Sequence, residues 1–484
     1  MNRRARAAVS AGVIIIALSG CRVGPNYHPP ALPRGATAPL VSLNTAAETA
    51  TPLPDAWWRL YDDTRLDRLI TEALHANRDL AAADANFAAA RAQLEAVHAY
   101  RYPSTTVNAS GIYGRDAGTD EILELGGHAP QNTWVFEDLF QAAYEVDLFG
   151  RVHRAIEAAD ATSDAAAAAR DGVRVVVAAE TARAYTTLCA LGEELAVARH
   201  SLDVVSHESD ITARRYEAGG NSTFDVTRAR ALVAQVRSSI PSLEGQRRAA
   251  VFELAALLGR TPAEAPENLE DCVTPPHLVA LVPVGDGSAL IRRRPDVRRA
   301  ERILAAATAD IGVATADLYP TVHLLGFYGG VASSLSQLGT NIGRAWGLGP
   351  SISWSFPNMA GPRARVRQST AIQAAALARF DSVVLTALKE TEQALTVYAA
   401  ALDNHQALVE AQEQIHEAFR IAHNQYLAGS TSNLDLLTTE QTLVALDAAV
   451  ASSDAALVQN QVALFEALGG GWRAESGTLP DANR

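Results

Sequence analysis

Two ten-residue stretches organise this chain of 484 residues: YEAGGNSTFD at 216–225 and YLAGSTSNLD at 426–435. Two further sets of residues recur around them. The first set matches Leu254, Leu258 and Gly259 to Leu464, Leu468 and Gly469, in that order. The second set matches Asp79, Tyr102 and Pro103 to Asp296, Tyr319 and Pro320. The offset is 210 positions for the turns and the first set, and 217 for the second. Self-similarity at a nearly constant offset indicates a duplicated structural unit. The sequence therefore predicts two internal repeats related by pseudo-symmetry.

Each repeat is predicted to contain a helix, two strands, a long helix, a turn and a final helix, because apolar spacing switches between helical and alternating patterns. The first repeat is assigned to 62–259, with a helix at 66–102, strands at about 104–114 and 134–149, a long helix at 150–217 and a helix at 222–259. The second is assigned to 288–469, with a helix at 288–319, strands at about 321–332 and 345–356, a long helix at 361–427 and a helix at 433–469. At 1.5 Å per residue, each long helix would extend about 100 Å. Leucines spaced by three, four or seven residues in the last helix predict coiled-coil packing.

The composition of the chain argues against a nucleic-acid partner and favours a structure of long helices. The chain has 41 Lys and Arg against 54 Asp and Glu, which gives a net charge of −13. Nucleic-acid backbones are bound by excess positive charge, so no nucleic-acid partner is expected. Aromatic residues make up only 6% of the chain, and alanine is frequent, which favours long helices over a bulky core.

The N-terminus has the form of a targeting segment, assigned to 1–20. Three arginines among residues 1–6 precede an apolar stretch at 7–18, which is shorter than the about 20 residues that span a bilayer. The residues that follow, LSGC at 18–21, resemble the lipobox of bacterial lipoprotein signals, which implies a covalent lipid on Cys21. An ordinary secretory signal that ends near a cysteine is the alternative. Three segments complete the domain assignment: a Pro-rich extended tether at 21–61, an equatorial loop at 260–287 and a C-terminal tail at 470–484.

The predicted strands alternate between one apolar face and one small or polar face. Phe140, Tyr144 and Val146 interleave with Gln141 and Glu145, for example. This pattern suits a strand with lipid on one side and water on the other. A half-buried strand of a soluble sheet gives the same alternation. The very long flanking helices and the export signal favour the membrane interpretation, although Pro350 and the weak alternation of 321–331 fit it less well.

Four membrane strands per chain cannot seal a barrel, because the smallest transmembrane barrels have eight strands and an open edge in lipid leaves backbone groups unpaired. Three copies would supply twelve strands. The predicted fold class is therefore an α+β membrane protein, in which a homotrimeric twelve-stranded transmembrane β-barrel is continuous with a long periplasmic α-helical coiled-coil barrel.

Five motifs in order resemble the outer-membrane efflux lipoproteins related to TolC and OprM, of NodT type. They are DAWWRLY at 55–61, DLFGR at 147–151, RRPDV at 293–297, ADLYP at 316–320 and ALGGGW at 467–472. The resemblance implies a homotrimeric, passive exit duct for drugs or other small molecules in the outer membrane. It also implies a periplasmic adaptor protein and an inner-membrane pump, often of the resistance-nodulation-division class. Selection normally resides in the pump, so the sequence does not indicate the exported compound.

The resemblance also implies a gate at the periplasmic tip, near the second turn. Its candidate residues are Tyr426, Gly429 and Asp435, with Tyr216, Gly219 and Asp225 at the equivalent turn of the first repeat. Thr438 and Thr431 stand where some relatives carry an acidic and a basic residue, which predicts a thinner charge network here. Both turns are also ordinary helix N-cap sequences, so Asp435 and Asp225 could serve only as caps.

No enzyme chemistry is expected. The twelve histidines show no metal-ligand spacing, and no nucleophile or paired catalytic acids stand in a supporting context, so no cofactor is expected besides the lipid on Cys21. Cys189 and Cys272 are 83 positions apart and are interpreted as unpaired thiols. Arg292 to Arg294, with Arg298, Arg299 and Arg302, are interpreted as solvated helix-surface and ion-pair residues rather than an anion site. The alternative function is a lipid-anchored structural or adhesive coiled-coil protein.

Overall fold

The computed structural model describes residues 22–42, 48–49, 51, 53–115, 125, 132–267, 269–278, 282–285 and 287–470. The signal segment, Cys21 and the C-terminal tail from 471 onward lie outside these residues. The chain divides into two compact units. The first consists of Met1–Pro30, Ala88–Ala166 and Ala300–Phe380, and the second consists of Ala31–Phe87, Ala167–Arg299 and Asp381–Arg484.

In the described part of the first half of the chain, the main elements are four α-helices and two long strands. These are α1 (Thr64–Ala76), α2 (Arg78–His98), β1 (Ser104–Gly114), β2 (Thr133–Val146), α3 (Arg151–Glu217) and α4 (Thr223–Leu257). The second half contains α5 (Gly287–Arg293), α6 (Pro295–Ala316), β3 (Thr321–Ala332), β4 (Arg344–Ser353), α7 (Ala360–Leu427) and α8 (Asn433–Ala467). The two halves thus have the same order of elements. A two-residue parallel pairing joins Glu48–Thr49 to Val282–Pro283.

The helices expected at 66–102 and 288–319 are each interrupted. Asn77 is extended between α1 and α2, and its side-chain oxygen accepts hydrogen bonds from the backbone of Asp79 (2.9 Å) and Leu80 (3.0 Å). Its amide donates to the carbonyl of Leu257 at 3.0 Å. In the second half the break falls between Arg293 and Pro295, and proline is favoured at a first helical position. Apolar residues keep their helical spacing across both breaks, so the hydrophobic pattern of the sequence did not predict either interruption.

The four strands form one antiparallel sheet in the order β1-β2-β3-β4. Two boundaries differ from expectation, because β2 ends at Val146 instead of 149 and β4 ends at Ser353 instead of 356. Pro350 lies inside β4, opposite Leu324. An edge strand tolerates proline, since one side of its backbone has no ladder to complete.

The register places apolar residues from all four strands on one face, although others, such as Phe327, lie on the opposite face. Val107, Phe140, Tyr328 and Trp346 occupy one row across the sheet. Residues opposite each other in a ladder point to the same side. Trp346 is 71% exposed in the single chain, and Val107 is 76% exposed. The sheet therefore presents an uncovered apolar face, interrupted by one charged row in which Asp138 and Arg344 flank Gly330.

The core of the second unit contains residues that the sequence had assigned to the tether. Trp57 is fully buried and stacks on Phe465 of α8 with ring centroids 4.8 Å apart. Leu188 and Leu254 belong to the same buried cluster. Residues 57–61 form a short 3-10 helix with three buried aromatic side chains. The extended tether therefore ends before these residues, because tryptophan and tyrosine bury large apolar surfaces.

The segment after Cys21 is held in place within the first unit. The buried guanidinium of Arg154 donates to the carbonyl oxygens of Val23 (3.3 Å) and Gly24 (3.4 Å) and to the side chain of Asn26 (2.8 Å). The backbone N–H of Val23 donates to the carbonyl of Phe149 at 3.2 Å. This part of the tether has no regular secondary structure, and it is packed against the first unit.

Cys189 and Cys272 form a disulfide, so their interpretation as unpaired thiols is wrong. Cys189 is buried on α3, and Cys272 lies in the loop that follows α4. Arg247 of α4 donates to the carbonyls of Glu270 and Cys272. Separation along the sequence did not indicate distance, because this loop folds back across α3 and α4. Disulfides are typical of exported proteins.

The arginines before α6 are confirmed as ion-pair residues at two of three positions. Arg293 lies 2.8 Å from Asp55. Arg294 lies 2.8 Å from both Asp296 and Glu390 and is largely buried. These arginines hold the break between α5 and α6 against the core of the second unit.

Candidate gate at the helical turns

The two turns that carry the candidate residues have the same backbone structure. One joins α3 to α4 and the other joins α7 to α8. Gly219 and Gly429 have φ values of 79° and 75°, in the left-handed region that favours glycine. The N–H of Gly219 donates to the carbonyl of Tyr216 at 2.9 Å, and that of Gly429 donates to Tyr426 at 3.1 Å. Both long helices therefore end in the same glycine-dependent way.

The two aspartates are bound within their own turns. The hydroxyl of Ser432 donates to Asp435 at 2.7 Å and accepts the backbone N–H of the same residue at 3.1 Å. Ser222 and Asp225 form the corresponding pair at 2.7 Å, with a full capping box. Hydrogen bonds from Ser432, and then from Thr431, lower the pKa of Asp435. Asp435 is exposed and ionised, and it stabilises the start of α8.

Tyr426 connects the two turns. Its side chain is 2% exposed, and its hydroxyl accepts hydrogen bonds from the side-chain amides of Asn221 (2.8 Å) and Asn433 (3.2 Å). The guanidinium of Arg215 lies over its ring, 4.1 Å from the centroid, and donates to the carbonyl of Leu427 at 3.0 Å. Asn433 also donates to the hydroxyl of Thr212 on α3 at 3.1 Å. We call Thr212, Arg215, Asn221, Tyr426 and Asn433 the turn cluster.

The sequence predicted only part of this arrangement. Tyr426 and Tyr216 were paired by the repeat, but Tyr216 is 46% exposed and lies outside the turn cluster. Asn221 and Asn433 appeared only as turn and cap residues. The sequence did not indicate the contact of Arg215 with Tyr426, because neither the spacing nor the neighbours of Arg215 distinguish it from other arginines on helix surfaces. Asp435 and Asp225 contact their own caps, and Thr438 donates to the carbonyl of Leu434.

The described residues contain no group of three or more His, Cys, Asp or Glu side chains placed to hold a metal ion. Two helices, α7 and α8, contain windows that are long and apolar enough to cross a membrane by length and composition. Only 17% and 28% of these windows are buried in the single chain. The α7 window belongs to a helix of 68 residues, about 100 Å long, which is far longer than one span.

A sheet with an uncovered apolar face, combined with two long helical hairpins whose turns are joined by a polar cluster, defines a class of outer-membrane channel proteins. The sequence profile described as "Outer membrane efflux protein" matches residues 69–260 and 287–470. The chain belongs to this family, as its motifs predicted. The protein is therefore an outer-membrane exit channel for efflux, and it is not an enzyme.

Individual relatives extend the match over nearly the whole chain. Nodulation protein T of Rhizobium leguminosarum bv. viciae is 30% identical over 430 residues, which cover 89% of this chain and 86% of the relative. The probable efflux pump outer membrane protein TtgC of Pseudomonas putida is 28% identical over 473 residues, covering 97% and 96%. Among solved structures, the outer-membrane channel OprN is similar with a TM-score of 0.85 and 36% identity, covering 93% of this chain and 100% of that one.

Proposed function

We propose that this protein is the outer-membrane component of a tripartite efflux pump and acts as a homotrimer whose helical turns form the gate. The sheet carries the proposal. Its apolar face is exposed, and in the described part of the chain the outer edges of β1 and β4 have no strand partner. An open edge in lipid leaves backbone groups unpaired, so neighbouring copies must complete the sheet. Three copies supply twelve strands, enough to enclose an open lumen.

The helices support the same assembly. The apolar windows of α7 and α8 are mostly exposed in one chain. Large uncovered apolar surfaces mark sites of contact with protein or lipid. In the trimer, neighbouring copies cover these helices.

The turn cluster supports a gate. It holds the α3–α4 turn and the α7–α8 turn together through one tyrosine hydroxyl and one guanidinium. Three copies around an axis bring three Asp435 carboxylates toward one another, and their repulsion favours opening unless cations or protons neutralise it. Asp435 thus has a second role in addition to capping α8.

The roles of relatives support the choice of partners. TtgC is named as an efflux pump outer membrane protein. This chain then receives its cargo from a periplasmic adaptor protein and an inner-membrane pump of the resistance-nodulation-division class. In this proposal Cys21 carries the lipid, and the contacts of Val23 with Phe149 and of Asn26 with Arg154 support an anchor near the end of β2.

Conductance of the purified full-length protein in a planar lipid bilayer tests this function. We expect brief, low conductance from the wild type and a still lower open fraction from Asp435→Asn, because the amide keeps a cap acceptor while removing the charge whose repulsion favours opening. The mass of the detergent-extracted particle should equal three chains. A particle of one chain that passes no ions would contradict the proposal. Unchanged conductance of Asp435→Asn would leave that residue as a cap only.

A further inference from the structure

A cluster of three titratable side chains, of which the two acids are buried, lies between three helices near the turns. It consists of Glu208 of α3, His423 of α7 and Glu440 of α8. Glu440 follows Asp435 by five residues, or about 7.5 Å along the helix. His423 precedes Tyr426 by three residues. The cluster is therefore within two helical turns of the candidate gate.

Glu440 occupies an apolar position of α8. Its side chain is 1% exposed. It lies three residues after Leu437 and four before Val444, on the helix face that packs with Val205 of α3 and Leu232 of α4. An acidic residue at such a position has little access to water, which disfavours its charged form.

The carboxylates of this cluster are incompletely paired. Among the described residues, Oε1 of Glu440 and Oε2 of Glu208 have no hydrogen-bond partner. The other oxygen of Glu208 lies 2.9 Å from Nδ1 of His423. A buried carboxylate without a full set of partners is strongly disfavoured when ionised, so one proton is favoured at this site.

The pKa values agree with this geometry. Burial, followed by the charge of Glu208, raises the pKa of Glu440 to about 8. Burial also raises the pKa of Glu208, while the charges of His423 and His207 oppose this effect. Glu440 therefore carries a proton at neutral pH.

A second layer of the same composition lies further along the same three helices. Glu193 of α3 is near Asp454 of α8, and His405 of α7 lies 3.5 Å from Asp454. Burial, then the charges of Asp454 and Glu194, raise the pKa of Glu193 to about 7. Fifteen residues of α3, or about 22 Å, separate the two layers. The repeated arrangement of acid, histidine and acid indicates a feature of the helix packing rather than one isolated residue.

We propose that Glu440 and Glu208 form a proton-dependent latch, which holds α8 against α3 and loosens as the pH rises. We call this pair the carboxyl latch. Its packing role stands on the cluster itself, and its effect on conduction rests on the proposed gate. Protonated, Glu440 fits its apolar surroundings, whereas ionised it repels Glu208 and needs water.

Other charged groups surround the carboxyl latch. Asp203 and His207 of α3, and Glu413, His416, Glu417 and Arg420 of α7, line the same cavity as Glu208. On α8, Asp447 accepts a hydrogen bond from His416 at 2.9 Å. This cavity of about 800 Å³ lies between α3 and α7. It gives protons access to Glu208, while α4 supplies apolar side chains to the packing behind Glu440.

The direction of the pH effect follows from linkage. Once α8 separates from α3, Glu440 returns to its ordinary pKa of 4.5, whereas in the packed state its pKa is about 8. The packed state therefore holds one more proton between these values, and packing is lost as the pH rises through them. The ratio of opened to packed states should rise about tenfold per pH unit between roughly pH 5 and 8 and then level off.

Hydrogen exchange of the full-length protein, measured between pH 5 and 9, tests the carboxyl latch. Rates are divided by the intrinsic exchange rate at each pH, so they report local opening. In the wild type, protection of amides at 436–444 should fall about tenfold per pH unit up to about pH 8. Glu440→Gln mimics the protonated acid and should remove most of this fall, and Glu208→Gln should reduce it. Amides at 450–458, near the second layer, should keep their pH dependence in Glu440→Gln.

Glu417→Gln is the matched control, because Glu417 is exposed and paired with Arg420 on α7. It should behave as the wild type. Equal pH dependence in the wild type and Glu440→Gln would overturn the carboxyl latch. Bilayer conductance on the same proteins separates it from the gate. A pH-dependent loss of protection in the wild type and Glu417→Gln but not in Glu440→Gln, with conductance that does not vary with pH, would support the carboxyl latch and contradict its effect on conduction.

Discussion

At the scale of single residues, Tyr426 shows how two positions with similar local sequence can differ in their surroundings. Its repeat partner, Tyr216, has the same neighbours Ala and Gly, yet it is half exposed while Tyr426 is buried. The difference lies in the surroundings. Asn221 and Asn433 donate to the hydroxyl of Tyr426, and Arg215 covers its ring. The repeat correctly marked both turns, but side-chain partners that come from the other turn left no pattern in the local sequence.

Replacement of Tyr426 by phenylalanine isolates the hydroxyl from the ring. Two amide donors lose their acceptor, which costs about 1–3 kcal/mol, while the contact with Arg215 remains. We expect the open fraction in a planar bilayer to rise about tenfold or more, since 1.4 kcal/mol corresponds to a factor of ten. Tyr216→Phe is the matched control and should behave as the wild type. Equal open fractions in both variants would show that the hydroxyl does not hold the turns together.

At the scale of elements, helices and strand faces were more predictable than their interruptions. Apolar spacing located the long helices to within a residue or two, and alternation gave the apolar face of the sheet. The breaks at Asn77 and Arg294 were missed because they depend on caps and ion pairs from distant residues, such as Leu257 and Glu390. The disulfide was missed for the same reason, since its partners meet only after the loop folds back.

The disulfide gives a prediction for the first helical hairpin. It closes a loop that contains the end of α3 and all of α4. Cross-links of this kind stabilise a fold by about 2–5 kcal/mol, chiefly by restricting the unfolded chain. The double variant Cys189→Ser with Cys272→Ser should unfold at a lower temperature, and reductant should lower the unfolding temperature of the wild type but not of the variant. Wild-type protein that alkylates at both cysteines without reduction would contradict the disulfide.

At the scale of the whole molecule, the apolar face of the sheet and the apolar windows of α7 and α8 are exposed together in one chain. A monomeric protein in water would be expected to bury apolar surfaces of this size in its own core. In a membrane assembly, lipid and neighbouring copies would cover them instead. Sequence patterns predicted this class of structure because lipid imposes a period-two pattern on strands. The assembly itself depends on contacts between chains, which no single sequence displays.

The orientation of the sheet toward lipid can be tested with a matched pair of substitutions. Val107 is on the apolar face, and its neighbour Thr106 lies on the opposite face beside Gln141. Arginine on the lipid face of a barrel costs about 2–4 kcal/mol near the midplane, whereas a lumen position tolerates it. Val107→Arg should therefore reduce the amount of assembled protein in isolated outer membranes, and Thr106→Arg should not. Equal recovery of both would contradict a lipid-facing sheet.

The hydrogen bonds from Arg154 to residues 23–26 limit the length of free chain between the proposed lipid anchor and the protein body. Only Arg22 separates Cys21 from Val23, whose backbone is tied to Phe149 just beyond β2. The two Cα–Cα steps from Cys21 to Val23 span at most about 7.6 Å, so the attachment point of an acyl group on Cys21 would lie close to Phe149. The fatty chains would then enter the leaflet beside the C-terminal end of β2. Because no long linker intervenes, the protein body would determine how deep the lipid lies in the membrane.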